Sequence, residues 1–170
     1  MAFNFTAFRL IPLFLVLTAA LAAPPANAQN PHGQVFDSWR VQCNSATGAP
    51  SACRMFQNVV LKESREPILQ FFVGFPDQSK FPVGLFVVPL GIHLPSGVRL
   101  TIDDGQAYEL SVEVCLPQGC QIRFGFDDNF LALFKRGSGA TVSFFGGAKR
   151  QPYNVPVSLK GFTAALAAVQ

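Results

Sequence analysis

Between residues 98 and 126 apolar and polar side chains alternate in three successive runs. Val98, Leu100 and Ile102 alternate with Arg99, Thr101 and Asp103. Asp104-Gly105 then turns the chain, and Tyr108, Leu110, Val112 and Val114 alternate with Glu109, Ser111 and Glu113. Cys115 and Cys120 bracket a Leu-Pro-Gln-Gly corner, after which Ile122, Phe124 and Phe126 alternate with Gln121, Arg123 and Gly125. A period of two places one side chain in two on each face of an extended chain, the pattern of a half-buried strand. Asp-Gly is a hairpin turn pair. The stretch therefore predicts three strands in meander order, and residues 86–126 form the centre of an all-β domain.

The N-terminus has a different character. Arg9 gives a positive start, residues 10–23 are an apolar run of 14, and Ala26-Asn27-Ala28 is a small-x-small site. These parts in this order predict a secretory signal peptide over residues 1–28. Pro24 and Pro25 close the run short of the roughly 20 apolar residues that span a bilayer. With no twin arginine and no cysteine near the site, general secretion without an acyl anchor is expected. Removing those 28 of 170 residues leaves one expected domain, residues 29–170. Its net charge of +2, once Arg9 has left, is too small to argue for nucleic acid.

The four cysteines are Cys43, Cys53, Cys115 and Cys120, an even number in a chain expected to be exported. Three pairings are possible. Each neighbouring pair brackets a turn, and a hairpin brings its flanks to disulfide distance, which favours Cys43–Cys53 and Cys115–Cys120. Neither spacing is the C-x2-C of zinc sites or thiol oxidoreductases.

The remaining chain reads mostly as strands. Residues 36–43 alternate, with Trp39, Val41 and Cys43 on one face. Residues 53–61 return as a hairpin. Residues 68–75 (ILQFFVGF) are apolar almost throughout and predict a central strand buried on both faces. Residues 83–90 predict a strand bent at Gly84 and ended by Pro89. Residues 127–136 change period: an Asp cap, a stripe of Phe130, Leu131 and Phe134, and Lys135-Arg136 before Gly137 predict a short helix. Residues 140–145 and 154–159 are strands, the latter placed at a sheet edge by Pro156. Residues 161–169 are a terminal helix with Phe162, Leu166 and Val169 inward. Eight or nine strands in this length fit a two-sheet β-sandwich. A membrane β-barrel fits less well, because its strands run longer and alternate throughout.

Residues that bear chemistry are few. His32 lies in a polar leader expected to be mobile. His93 lies in a turn, GIHLPSG, where a hydrolase reading would join it to Ser96 and to Asp103 or Asp104, but no nucleophile-elbow signature surrounds it. Adjacent acids on a strand point to opposite faces, so Asp103-Asp104 is read as turn chemistry, and Asp127-Asp128 as helix capping. Glu109 and Glu113 read as exposed. No D-x-D-x-D-G calcium loop and no Gly-rich phosphate loop is present. Trp39 and the pairs Phe71-Phe72 and Phe144-Phe145 suit a core before a ligand groove. Lys149-Arg150 form a basic loop tip.

Several pieces together resemble one family. They are Trp39-Arg40-Val41-x-Cys43 followed by Cys53, the run VPLGIHLPSGV from Val88, Ile102-Asp103, the Cys115–Cys120 corner, and VSLKGFTAAL from Val157. In this order they are similar to the invasion-associated locus B (IalB) family. The resemblance implies an exported protein of Gram-negative bacteria with an immunoglobulin-like β-sandwich. It brings no catalytic residues to carry over.

The expectation is thus an exported, non-enzymatic sandwich of the periplasm or cell surface. It acts through contacts with a protein or envelope component, and its named role extends to host-cell interaction. No metal, cofactor, nucleic acid or transmembrane segment after signal cleavage is expected. The alternative is a binder of a small apolar or envelope-derived ligand in a groove between the sheets. A hydrolase using His93 ranks last.

Overall fold

The computed structural model of the protein describes residue 1 and residues 30–44, 52–61, 65–76 and 79–170. The expected signal segment, apart from Met1, lies outside the described residues. The elements run β1 (Val35–Phe36), β2 (Trp39–Cys43), β3 (Cys53–Val60), β4 (Pro67–Gly74), β5 (Val83–Val88), β6 (Val98–Ile102), β7 (Ala107–Leu110), β8 (Val114–Leu116), β9 (Gly119–Gly125), α1 (Asp128–Arg136), β10 (Gly139–Gly146), β11 (Gln151–Ser158) and α2 (Phe162–Ala168). One sheet has seven strands in the order β1-β2-β3-β4-β5-β9-β8, and the other has four in the order β11-β10-β6-β7. All neighbours are antiparallel. The expected two-sheet sandwich with a short helix and a C-terminal helix is what forms.

The meander expected over residues 98–126 does not form. The chain pairs β6 with β7 in the small sheet, leaves it after Leu110, and pairs β8 with β9 in the large sheet. Residues 108–114 alternate in sequence, but residues 111–113 are the crossing between sheets. Alternation reports which side of a chain is buried and is blind to which sheet buries it.

The core lies between the sheets. On the large sheet one inner row runs Val41, Met55, Val73, Gly84, Phe124 across five strands. Gly84 leaves room that the Phe124 ring fills; a Cβ there would overlap the ring. The small sheet answers with Val98, Leu100, Ile102, Ala140, Val142, Phe144, Val155 and Val157. Aromatic rings pack along the large sheet and join it to the helices. Phe71 meets Trp39 at 5.1 Å and Phe86 at 4.4 Å, and Phe134 of α1 meets Phe126 at 4.9 Å and Phe162 of α2 at 5.4 Å. Each such ring taken fully from water contributes on the order of 2–3 kcal/mol. The Phe pairs divide: Phe71 and Phe144 are buried, whereas Phe72 is half-buried and Phe145 is exposed.

That division corrects the reading of residues 68–75. β4 is central, but past the register shift at Ile68 only its inner face, with Leu69, Phe71 and Val73, is buried, and Gln70, Phe72 and Gly74 are half-buried. Both helices are as expected in position, and α1 carries the expected Asp cap. The Asp127 carboxylate accepts from the Phe130 N–H at 2.7 Å. Pro156 lies on β11, an edge strand. The leader is tied down too: His32 Nδ1 accepts from the Cys43 N–H at 3.1 Å, and Gly33 and Gln34 bond to Val41. The disulfides join Cys43 to Cys53 across β2–β3 and Cys115 to Cys120 across β8–β9.

Candidate functional site

The structure brings His93 and Ser96 together: Nδ1 and Oγ are 2.7 Å apart. Both belong to one 3-10 turn, Leu94–Ser96 with His93 as its cap residue, and the Ser96 N–H donates to the His93 carbonyl. The His93 N–H donates to the Phe145 carbonyl at 2.7 Å, fixing this turn to the end of β10. Asp103 is engaged elsewhere. Its carboxylate accepts from Ser138 Oγ at 2.8 Å, Gly139 N–H at 2.9 Å and Ser138 N–H at 3.1 Å. The Ser138 hydroxyl, followed by the Gly139 amide, holds the Asp103 carboxyl below its ordinary range. Asp103 thus stitches the β6–β7 turn to the loop after α1. The His93–Ser96 contact is a local turn bond, and of the two acids expected with it Asp103 caps another loop and Asp104 is exposed in the β6–β7 turn.

Glu109 and Glu113 each hold an arginine on a neighbouring strand. Arg99 Nε lies 2.7 Å from Glu109, and Arg123 Nε lies 3.1 Å from Glu113. All four are largely exposed, so each pair contributes at most a few tenths of a kcal/mol to about 1 kcal/mol. Among the described residues no group of three His, Cys, Asp or Glu side chains is placed to hold a metal ion, and no helix is long and apolar enough to cross a membrane.

The surface carries a feature that sequence reasoning missed. On the outer face of the large sheet the register aligns Arg40, Phe56, Phe72, Leu85 and Arg123 in one row across β2, β3, β4, β5 and β9. Phe56 and Phe72 stack with centroids 5.9 Å apart. The Arg54 guanidinium lies 4.8 Å from the centre of the Phe72 ring, a cation–π geometry. An aromatic-aliphatic band is thus framed by three arginines, with Glu113 the acid bonded to one of them. The available signal was parity: Phe56 and Phe72 each sit one residue out of phase with the buried Met55 and Phe71. The apolar run in β4 hid it.

A cleft of about 430 Å³ opens at one end of the sandwich. Ile68 lines it from the large sheet, Phe144 and Tyr153 from the small sheet, Leu90 from the connecting loop, and Lys149 from the hairpin tip. Phe144 and Tyr153 stack at 5.4 Å. The connecting loop is held in place by the Gly147 N–H, which donates to the Gly91 carbonyl at 2.8 Å. Of the aromatic residues considered for a ligand groove only Phe144 lines this cleft, and of the basic loop tip only Lys149 does.

Fold and surface define a class: a disulfide-stapled two-sheet sandwich whose polar residues serve largely as turn bonds, caps and ion pairs. The family model described as invasion associated locus B (IalB) protein matches residues 39–170, and the chain belongs to that family. Invasion protein B homologs of Brucella abortus strain 2308 and of biovar 1 strain 9-941 are each 31% identical over 170 residues, covering 100% of this chain and 93% of theirs. Invasion protein B of Bartonella bacilliformis is 29% identical over 153 residues, 85% of this chain and 81% of its own. The crystal structure of invasion associated protein B from Bartonella henselae is similar at a TM-score of 0.69 and 25% identity, over 80% of this chain and 94% of that one.

Proposed function

We propose that the chain acts after export, in the periplasm or at the cell surface, as a non-enzymatic contact protein. The observation that carries this reading is the Arg40-Phe56-Phe72-Leu85-Arg123 row. Half-buried aromatic side chains in the middle of a sheet face, rimmed by cations, suit a partner protein that carries carboxylates around an apolar patch. The names of the relatives, invasion protein B and its homologs, agree with a role in contact with other cells. The charged start, the apolar run and the Ala26-Asn27-Ala28 site support the export part of this reading.

The test has two arms. Cell fractionation with surface proteolysis separates periplasm from surface. A photo-crosslinker placed at Phe72 in the exported protein is expected to give a discrete protein adduct that Arg40→Glu with Arg123→Glu removes. No adduct at Phe72, together with turnover in a hydrolase screen that His93→Ala abolishes, overturns the reading.

A second reading rests on the cleft between Ile68, Leu90, Phe144, Tyr153 and Lys149. Apolar walls with one ammonium at the rim suit a small apolar ligand bearing an acidic group. Thermal-shift measurements with lipids, sugars and peptidoglycan fragments test it; no stabilisation by any of them counts against it.

A further inference from the structure

The two sheets differ in width, and the overhangs are treated differently on the two sides. On one side β11 lies against β3, and the Gln57 side chain donates to the Ser158 carbonyl at 2.9 Å. Beyond that point the large sheet continues as β2 and β1, and α2 packs over both, with Phe162 against Trp39 at 5.4 Å. On the other side β7 lies against β9, and the large sheet continues as β8. Every residue of β8 is exposed. A fifth strand beside β7 would lie over β8, as α2 lies over β2.

The four outer strands also differ as edges. β1 has two residues. β8 has three, with Cys115 bonded to Cys120 of its neighbour. β11 carries Pro152 and Pro156, which lack the N–H a new strand would need. β7 (AYEL) has no proline and no disulfide, and among the described residues it pairs only with β6. Among the described residues no backbone hydrogen bond reaches its other edge.

Along this edge runs a groove of about 550 Å³. Tyr108, Phe124 and Phe130 line it, with Tyr108–Phe130 centroids 4.7 Å apart and Phe124–Phe130 centroids 5.9 Å apart. Asp127 and Glu109 are its acids, Glu109 being paired with Arg99 at 2.7 Å, so Asp127 supplies the negative charge not already held by an arginine. Ring faces beside carboxylates attract a cation.

We propose that β7 is a strand-addition site that takes an extended basic segment of another polypeptide. Backbone hydrogen bonds to β7 supply register, and alternate lysine or arginine side chains enter the groove over Tyr108, Phe124 and Phe130, towards Asp127. The inference rests on the reading of the chain as a contact protein. It uses a different surface from the Phe56–Phe72 face, so failure at β7 with contacts retained at Phe72 is failure of this inference alone.

The test uses the purified disulfide-bonded protein and two synthetic peptides, alternating Lys-Val and alternating Glu-Val. Amide hydrogen exchange and fluorescence binding are read together. The Lys-Val peptide is expected to protect amides of residues 107–110 and the Glu-Val peptide to leave them unchanged. Asp127→Asn keeps a capping side chain and Glu109→Gln keeps its size, so both variants should fold. Each is expected to weaken binding about two- to fivefold. Equal binding of both peptides, protection at β11 in place of β7, or no protection at all overturns the proposal. Concentration-dependent protection of residues 107–110 by the protein alone also overturns it, because the edge is then filled by a second copy.

Discussion

Gly161 sits against the carbonyl of Phe36 so closely that an added Cβ would overlap the Phe36 oxygen. Its φ is 83°, in the left-handed region. Both facts have one origin, since the chain must turn sharply after β11 for α2 to lie over β1 and β2. Gly161→Ala therefore meets a backbone clash and a strained φ together. We expect a loss of about 2–4 kcal/mol in urea unfolding. Gly125→Ala is the control, since an added Cβ there meets nothing within 4 Å. It is expected to fall within about 1 kcal/mol of the parent. A Gly161→Ala protein as stable as the Gly125→Ala protein would show that α2 docks without this turn.

The disulfides close loops of similar cost but differ in surroundings. Their separations of 10 and 5 residues correspond to about 2.7 and 2.1 kcal/mol in the chain-entropy model. Cys43 and Cys53 are both buried, whereas Cys115 lies on the exposed β8. Replacing Cys43 and Cys53 by Ala thus removes packed sulfur as well as a loop constraint, and is expected to cost about 3–4 kcal/mol. Replacing Cys115 and Cys120 by Ala removes a shorter constraint and one packed sulfur, that of buried Cys120, and is expected to cost about 2–3 kcal/mol. Urea midpoints of the two double variants check the order. Peptide mapping without reduction checks the pairing, and a Cys43–Cys120 link would contradict it.

Burial parity was legible in the sequence because a strand reports its two faces residue by residue. Trp39, Val41 and Cys43 are inward as expected, and so are Phe162, Leu166 and Val169 of the last segment. Caps and turns were legible because Asp127 and Asp104-Gly105 act within a few residues. Sheet assignment was not. Tyr108 and Val112 share a parity, yet the chain changes sheets between them, and nothing local encodes that change. The outer row was hidden for the same reason: Arg40, Phe56, Phe72, Leu85 and Arg123 meet only through register between strands. The role of Asp103 depends on Ser138, 35 residues away. Distant partners of a polar side chain leave no periodic trace.

The same bond predicts a dependence on pH. The Asp103 carboxyl is held below its ordinary value by the Ser138 hydroxyl and the Gly139 amide. A depressed carboxyl in the folded state means that the unfolded chain binds the proton more readily. The stabilisation from Asp103 is therefore fully present above the unfolded value near 3.8 and fades as pH falls through the lower folded value. Asp103→Asn removes the titration, so its urea midpoint should change less between pH 5 and pH 2 than that of the parent. An unchanged slope would mean that the Ser138 bond does not persist in solution.

Phe71 and Phe72 are neighbours in sequence with opposite environments, which makes them a direct test of the outer face as a working surface. Phe71 is fully buried among Trp39, Phe86, Phe124 and Phe134. Phe71→Ala opens a cavity between the sheets and is expected to cost about 3–5 kcal/mol. Phe72 is half-buried and touches Phe56 and Arg54. Phe72→Ala gives up one stacked pair and one cation–π contact at the surface and is expected to cost about 1–2 kcal/mol. Because the Phe72→Ala protein remains folded, partner crosslinking from a probe at Phe56 can be compared with and without the Phe72 ring. If the face engages a partner, the Phe56 adduct falls while the melting temperature drops only a few degrees. If the Phe56 adduct is unchanged, Phe72 packs the sheet surface without taking part in contact.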